Sequence, residues 1–272
     1  MKNLYVVTGG LGKTLLWTSL IPSLCKKDGV DKISVMTVWP FLFEINDQIE
    51  NVEPLLDFRY FPHLEKYDDI IYHEPYLSNY LKEENLHMLD YWADTYGIER
   101  VPPKPSINYN IASTTKFELS ESLTDPYYVI QFIGGASRHG EYKLCPRDYR
   151  LDLVEKLNLK IKNEFNLKCV CFRYDNEPKP SDTITFRSRT EIDTLGIIPL
   201  IDNAKFVVCI DSALMHFAAA TDKDEKTIVL WNKYQTSPSR IGYPQQTNII
   251  DEKELCIELP PEEILNRIKE VV

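Results

Sequence analysis

Short apolar runs rich in β-branched residues recur along the chain, separated by stretches whose apolar positions return every three or four residues. Leu4 to Thr8 reads as a strand, Gly9 to Lys13 as a glycine-rich turn, and Thr14 to Lys26 as a helix with Leu15, Leu16, Leu20 and Leu24 on one side. Asp31 to Val38 and Val52 to Phe58 follow as strands, then a short one at Tyr67 to Tyr72. From Pro75 to Ile98 the spacing predicts two helices with a break near Glu84 and a C-cap at Gly97. Val101 to Ser106 and Ser113 to Asp125 carry few core anchors, and a domain boundary is expected there.

A second alternation then begins. Tyr127 to Ile133 reads as a strand, Gly134 to Gly140 as a loop, Pro146 to Phe165 as a helix and Leu167 to Arg173 as a strand. Thr183 to Phe186, Phe206 to Ile210 and Thr227 to Trp231 are further strands, with a helix over Ile192 to Asn203 and an amphipathic helix after Pro260. Strands and helices in alternation imply parallel sheets covered on both faces, an α/β class. The chain has 272 residues, more than one ordinary α/β core holds. The expected layout is 1–118, 119–259 and a C-terminal helix at 260–272 that packs back on the first domain. Two doubly wound domains would face each other across a cleft at the carboxyl ends of their strands, where ligands bind.

Composition narrows the class. The hydrophobic fraction is 43%, the charged fraction 26% and the net charge −10, which describes a globular chain whose average surface repels phosphate backbones. No apolar run approaches the roughly 20 residues of a membrane span, and no secretory leader is evident at the amino terminus, so a cytoplasmic location is expected. Six cysteines are scattered along the chain, and Cys169 and Cys171 are expected as core thiols on opposite faces of a strand, neither zinc ligands nor disulfides.

The stretch with most chemistry is Asp211 to Ala220. A buried-strand pattern from Lys205 to Ile210 breaks at Asp211 and Ser212 and resumes as a helix through Ala218, Ala219 and Ala220. Both breaking residues are good N-caps, and the helix behind them opens with free N–H groups at its positive dipole end. A diphosphate fits such a place. His216 falls in the first turn and would face whatever those amides hold. The same spacing also describes an ordinary capped helix with a half-buried histidine, and the residues alone leave both readings open.

These features resemble the heptosyltransferase-like glycosyltransferases (glycosyltransferase family 9) of the GT-B class, which use nucleotide-diphosphate sugars. The resemblance rests on Gly9 to Leu16, the Tyr67 to Tyr72 strand, Leu86 to Ile98, the Gly135 to Ser137 turn, and Lys143 to Pro146. Its most specific element is Asp211 to Ala220, similar to the family's Asp-Thr/Ser-Gly-x-x-His-x-Ala-Ala signature. The resemblance implies a GT-B fold and inverting, metal-independent sugar transfer. The acceptor it implies is a bacterial surface glycan or lipopolysaccharide core, and the nucleotide sugar is a co-substrate, with no cofactor. It further implies that Asp211 and the amides of Ser212, Ala213 and Leu214 hold the diphosphate, with Ser137 and Lys143 contributing and His216 orienting a phosphate or the sugar. Glu177 and Asp175 are candidates for the ribose. No Asp-x-Asp triplet of metal-dependent sugar transferases stands at a strand end, so no metal site is expected.

Two positions depart from the family pattern. Ala213 stands where the family has glycine, and Lys13, after Gly10 and Gly12, stands where it has an aspartate thought to be the base. A charged lysine accepts no proton unless burial lowers its pKa by several units. His63, Glu65, His73 and Glu74 are the candidates for the base, with Lys13 binding an anionic acceptor or the leaving phosphate. The AT-rich codon bias implied by the composition adds a hydroxymethylated base of phage DNA as an alternative acceptor, with the protein then in the host cytoplasm. A rival reading comes from Thr8 to Thr14, which also resembles the deviant P-loop of dimeric ATPases, although that family has a lysine at the place of Thr8. Oligomeric state is not legible.

Overall fold

A computed structural model describes residues 2–44, 46–55, 64–78, 86–107, 123, 125–134, 144–173, 177–187 and 195–272. The chain divides into two compact units, Met1–Asn108 with Ser239–Ile241, and Tyr109–Pro238 with Gly242–Val272.

In the first unit β1 (Asn3–Val7), α1 (Leu11–Trp17), α2 (Ile21–Asp28), β2 (Ile33–Thr37), β3 (Ile49–Pro54), β4 (Asp69–Tyr72) and α3 (Met88–Tyr96) follow one another. The sheet runs β3-β2-β1-β4 with every pair parallel. The single helix expected over 14–26 is instead two, joined by a 3-10 turn at Thr18–Leu20. Pro22, in the first turn of α2, is the physical reason. It has no N–H for the carbonyl four residues back, and its ring crowds that carbonyl, so the chain tightens before it. The helix also starts earlier than expected, with Gly10 as an extended N-cap at ψ 156, which brings Gly12 and Lys13 into the first turn of α1. Pro75–Leu77 forms one 3-10 turn, and α3 ends at Gly97, left-handed at φ 66 as predicted. The expected break near Glu84 lies outside the described residues.

In the second unit come β5 (Tyr127–Gln131), α4 (Leu151–Phe165), β6 (Lys168–Arg173), β7 (Ile184–Arg187) and α5 (Ile197–Asn203). They are followed by β8 (Val207–Ile210), α6 (Ala213–Ala220), β9 (Thr227–Asn232), α7 (Pro238–Ile241), β10 (Thr247–Asp251) and α8 (Pro261–Val271). The sheet order is β10-β9-β8-β5-β6-β7, all parallel, the doubly wound order in which the first strand sits beside the fourth. Strand β10 has no counterpart among the sequence expectations. Helix α4 starts at Leu151, because residues before it are held otherwise: Tyr149 bridges to Ile257, and Asp148 collects the bonds described below. Cys169 and Cys171 lie in the same core cluster, so they share one face of β6, as a period of two requires, and are not on opposite faces. Ile264 and Ile268 of α8 are fully buried in that cluster with Val154, Leu157 and Ile161 of α4. The apolar stripe of the last helix is therefore used within its own unit. Among the described residues no helix is long and apolar enough to cross a membrane.

Each sheet reverses its strand order at one place, between β1 and β4 in the first and between β5 and β8 in the second. Connections leave in opposite directions from such a pair, which opens a crevice at the strands' carboxyl ends. The turn after β1 carries Gly9 and leads into Lys13 in the first turn of α1, and the turn after β4 carries Glu74. Those after β5 and β8 carry Gly134 and Asp211.

Candidate active site

In the first unit, Lys13 Nζ donates to Glu74 Oε2 at 2.5 Å, and the Thr8 hydroxyl donates to the same oxygen at 2.6 Å. Glu74 Oε1 accepts the backbone N–H of Tyr76 at 3.2 Å, capping the turn behind β4. The two charged side chains retain only 6% and 10% of their exposure. Burial lowers the Lys13 pKa, against the raising effect of Glu74. Lys13 reaches this place by folding over Gly9, whose φ of +101° and missing side chain leave the room. A Cβ there would lie 2.3 Å from Lys13 Cε. Trp39 Nε1 donates to the Gly9 carbonyl at 2.8 Å and fixes the turn from the other side. The exposed ring of Tyr76 lies 5.1 Å from the ammonium, and Tyr72, also exposed, reaches the Thr8 hydroxyl at 3.3 Å.

The structure thus brings Lys13 and Glu74 together. His73, between β4 and Glu74, instead packs its ring edge-on against Tyr96 at 5.2 Å while its carbonyl accepts Trp92 Nε1 at 2.9 Å. Burial, aided by Lys27, lowers its pKa. Glu65 is exposed on a turn, and His63 lies outside the described residues.

In the second unit, Ser212 is the N-cap of α6 with extended backbone, φ −155 and ψ 176, but its hydroxyl does not cap the helix. It donates at 2.6 Å to Gln131 Oε1 at the end of β5, whose amide nitrogen is in turn held by the Ile133 carbonyl. The first amides of α6, those of Ala213 and Leu214 among them, are consequently left without a side-chain cap. They form the uncapped positive end of an eight-residue helix. Asp211 is 5% exposed and its carboxylate faces Arg147 at 3.7 Å, while its carbonyl accepts from the same guanidinium at 3.4 Å. Burial raises the Asp211 pKa, and Arg147 offsets only part of that.

A carboxyl with a raised folded-state pKa favours the folded chain below its ordinary 3.8 and loses that contribution as pH climbs through the folded value. Asp211→Asn should remove this dependence. Its melting temperature, relative to the parent, is expected to rise as pH increases from 4 and then level off. A constant difference across that range would show that burial does not shift Asp211.

His216 is 4% exposed and its Nδ1 lies 2.7 Å from the hydroxyl of fully buried Tyr243, so this nitrogen is engaged with the core. Glu177 is 4% exposed, a buried carboxylate where a solvated loop acid is usual, and its carbonyl accepts Arg173 Nε at 3.1 Å. Ser137, Lys143 and Asp175 lie outside the described residues.

The sequence profile of glycosyltransferase family 9 (heptosyltransferase) matches residues 187–257, the stretch from β7 to beyond β10. No curated protein matches the chain. Among solved structures, E. coli ADP-heptose LPS heptosyltransferase II aligns over 100% of this chain and 98% of its own, at 15% identity and a TM-score of 0.69. A glycosyltransferase family 9 protein of Veillonella parvula aligns over 99% and 96%, at 12% identity and 0.70. E. coli heptosyltransferase WaaC with ADP aligns over 100% of both, at 16% identity and 0.64. The chain has the GT-B fold of these structures.

On this GT-B fold the sequence left two residues of the second site unremarked. Gln131 sits at the end of a continuous apolar strand, and Arg147 lies in what reads as the start of a helix. The next residue, Asp148, is fully buried and accepts from the amides of Gly134 at 2.8 Å and Cys145 at 2.9 Å, which fixes the loop that carries Arg147. Among the described residues, no hydrogen bond occupies Arg147 Nε or Nη2, and both lie within 3.7 Å of where a side chain on Gly134 would begin. The one available sequence signal was an arginine directly after the Lys143 to Pro146 element.

Proposed function

We propose that the chain transfers a sugar from a nucleotide-diphosphate sugar to a hydroxyl of a bacterial surface glycan, with lipopolysaccharide core as the acceptor class. The displacement is inverting and needs no metal. It is a glycosyltransferase, and its donor site is the second unit's crevice at Asp211 to Leu214. The observation that carries this is the uncapped start of α6 beside Arg147 at the sheet's switch point, within the stretch matched by the family 9 profile. Sugar transfer leaves a diphosphate whose charge grows in the transition state, and fixed amides with a guanidinium stabilise that charge without rearranging. The ATPase alternative requires Lys13 to hold phosphates, whereas its ammonium is bound to Glu74 and nearly buried.

ADP-heptose is the first donor to try, because a solved heptosyltransferase of similar fold is described in complex with it. In EDTA, a donor at 100 times its Kd should stabilise the protein by about 2.7 kcal/mol, read as a rise in melting temperature. Donor consumption with a lipopolysaccharide core oligosaccharide should follow. Consumption only with hydroxymethylated DNA would move the acceptor to a DNA base. Magnesium-dependent ATP hydrolysis without nucleotide-sugar binding would overturn the reading.

A further inference from the structure

The geometry at the switch point of the first sheet points to Glu74 as the general base of sugar transfer and to Lys13 as the residue that positions it. This assignment rests on the transferase reading above. A carboxylate offers about four acceptor positions. Lys13, Thr8 and the Tyr76 amide take three, so among the described residues one acceptor position of Glu74 remains. The carboxylate is held from three directions, at the end of a strand and beside exposed Tyr72 and Tyr76, whose rings suit the apolar faces of a sugar. Held in this way, it keeps a fixed direction for one further hydrogen bond. A sugar hydroxyl is the donor that fits it.

The step balances without any further reactant. The acceptor's O–H bond breaks and its proton passes to Glu74. The acceptor oxygen forms a bond to the donor's anomeric carbon as the bond from that carbon to the diphosphate breaks. The bonding electron pair leaves on the diphosphate, and the anomeric configuration inverts. Lys13 touches neither the sugar nor the leaving group in this scheme. It fixes the rotamer of Glu74, from a position that the missing side chain of Gly9 makes possible.

The test uses the full chain with ADP-heptose and a lipopolysaccharide core oligosaccharide. Glu74→Gln keeps the Tyr76 bond on its oxygen, donates from its NH2 to the Thr8 hydroxyl, and should lower kcat about 10²- to 10⁴-fold at unchanged donor Kd. Azide carries no proton and needs no base, so in Glu74→Ala it should restore donor turnover and yield a glycosyl azide. Lys13→Met should lower kcat about tenfold in the parent and have no further effect in Glu74→Gln, because it acts through that carboxylate. Glycan transfer by Glu74→Gln within threefold of the parent, or an azide reaction absent in a Glu74→Ala variant that still binds donor, would overturn the assignment. So would an additive loss in the double variant. A parent chain that binds no nucleotide sugar would instead sink the transferase reading.

Discussion

Ala213→Pro should weaken nucleotide-sugar binding about 10- to 100-fold while leaving the protein folded. Ala213 is the first residue of α6, where the N–H has no partner inside the helix and where proline's fixed φ is already suitable. Proline also demands an extended residue before it, and Ser212, at φ −155 and ψ 176, already is one. The ring has space, since Ala213 is only partly buried. What the substitution removes is one N–H at the proposed diphosphate. A hydrogen bond to a charged group contributes about 1.5 to 3 kcal/mol, and each 1.4 kcal/mol is tenfold in Kd. Ser212→Pro would be a poorer probe, because φ −155 cannot be reached by proline and the fold itself would suffer. Isothermal titration with ADP-heptose, beside Ala213→Ser as a control that keeps the amide, decides the matter. Unchanged affinity in a folded Ala213→Pro variant would remove the α6 amides from the donor site.

Much of the scaffold was legible because it rests on local periodicity. β1, β2, β5, β8 and β9 are near-continuous apolar runs, as strands covered on both faces must be, and the Asp211 to Ala220 stretch announces a strand-to-helix turn. What sequence could not give was where polar side chains turn. Ser212 looks like a capping serine, and only the packing of β5 beside β8 reveals that Gln131 competes for its hydroxyl. His216 sits in the right turn for a ligand contact, but Tyr243, 27 positions further on, claims its Nδ1. Lys13 and Glu74 are 61 residues apart, and no spacing rule joins them. They meet because β1 and β4 are neighbours in the sheet, a fact of topology and not of either segment. Strand β10 was missed for a related reason: at the sheet edge Ile250 is exposed while Ile249 is buried, which weakens the apolar run that marked the central strands.

Lys13→Met and Glu74→Leu, made singly, should each destabilise the chain by about 3 to 5 kcal/mol, whereas Lys13→Met with Glu74→Gln should melt no lower than the parent. Removing one partner leaves the other charge buried at 6% or 10% side-chain exposure with nothing opposite it. Removing both charges eliminates the desolvation cost as well as the attraction, and the glutamine's oxygen still accepts from the Tyr76 amide while its NH2 donates to the Thr8 hydroxyl. The Lys13 pKa carries the same message. Burial is the largest influence on it and holds it below the ordinary 10.5 despite the carboxylate beside it. The unfolded chain therefore holds that proton more tightly, so stability rises with pH across the interval between the folded value and 10.5. At neutral pH the full cost of burying the ammonium is present. In the parent this contributes a rising limb of stability on the alkaline side, and the double variant should lack it. Thermal melts of the four proteins from pH 7 to 10 measure both effects. A double variant as unstable as the single ones would make the pair a net stabiliser of the sheet end, and its burial would then need no chemical explanation. If the double variant is as stable as the parent yet transfers no sugar to the glycan, the chain keeps two buried charges that its fold does not require. Proton removal from the acceptor is then the remaining reason for a carboxylate at position 74.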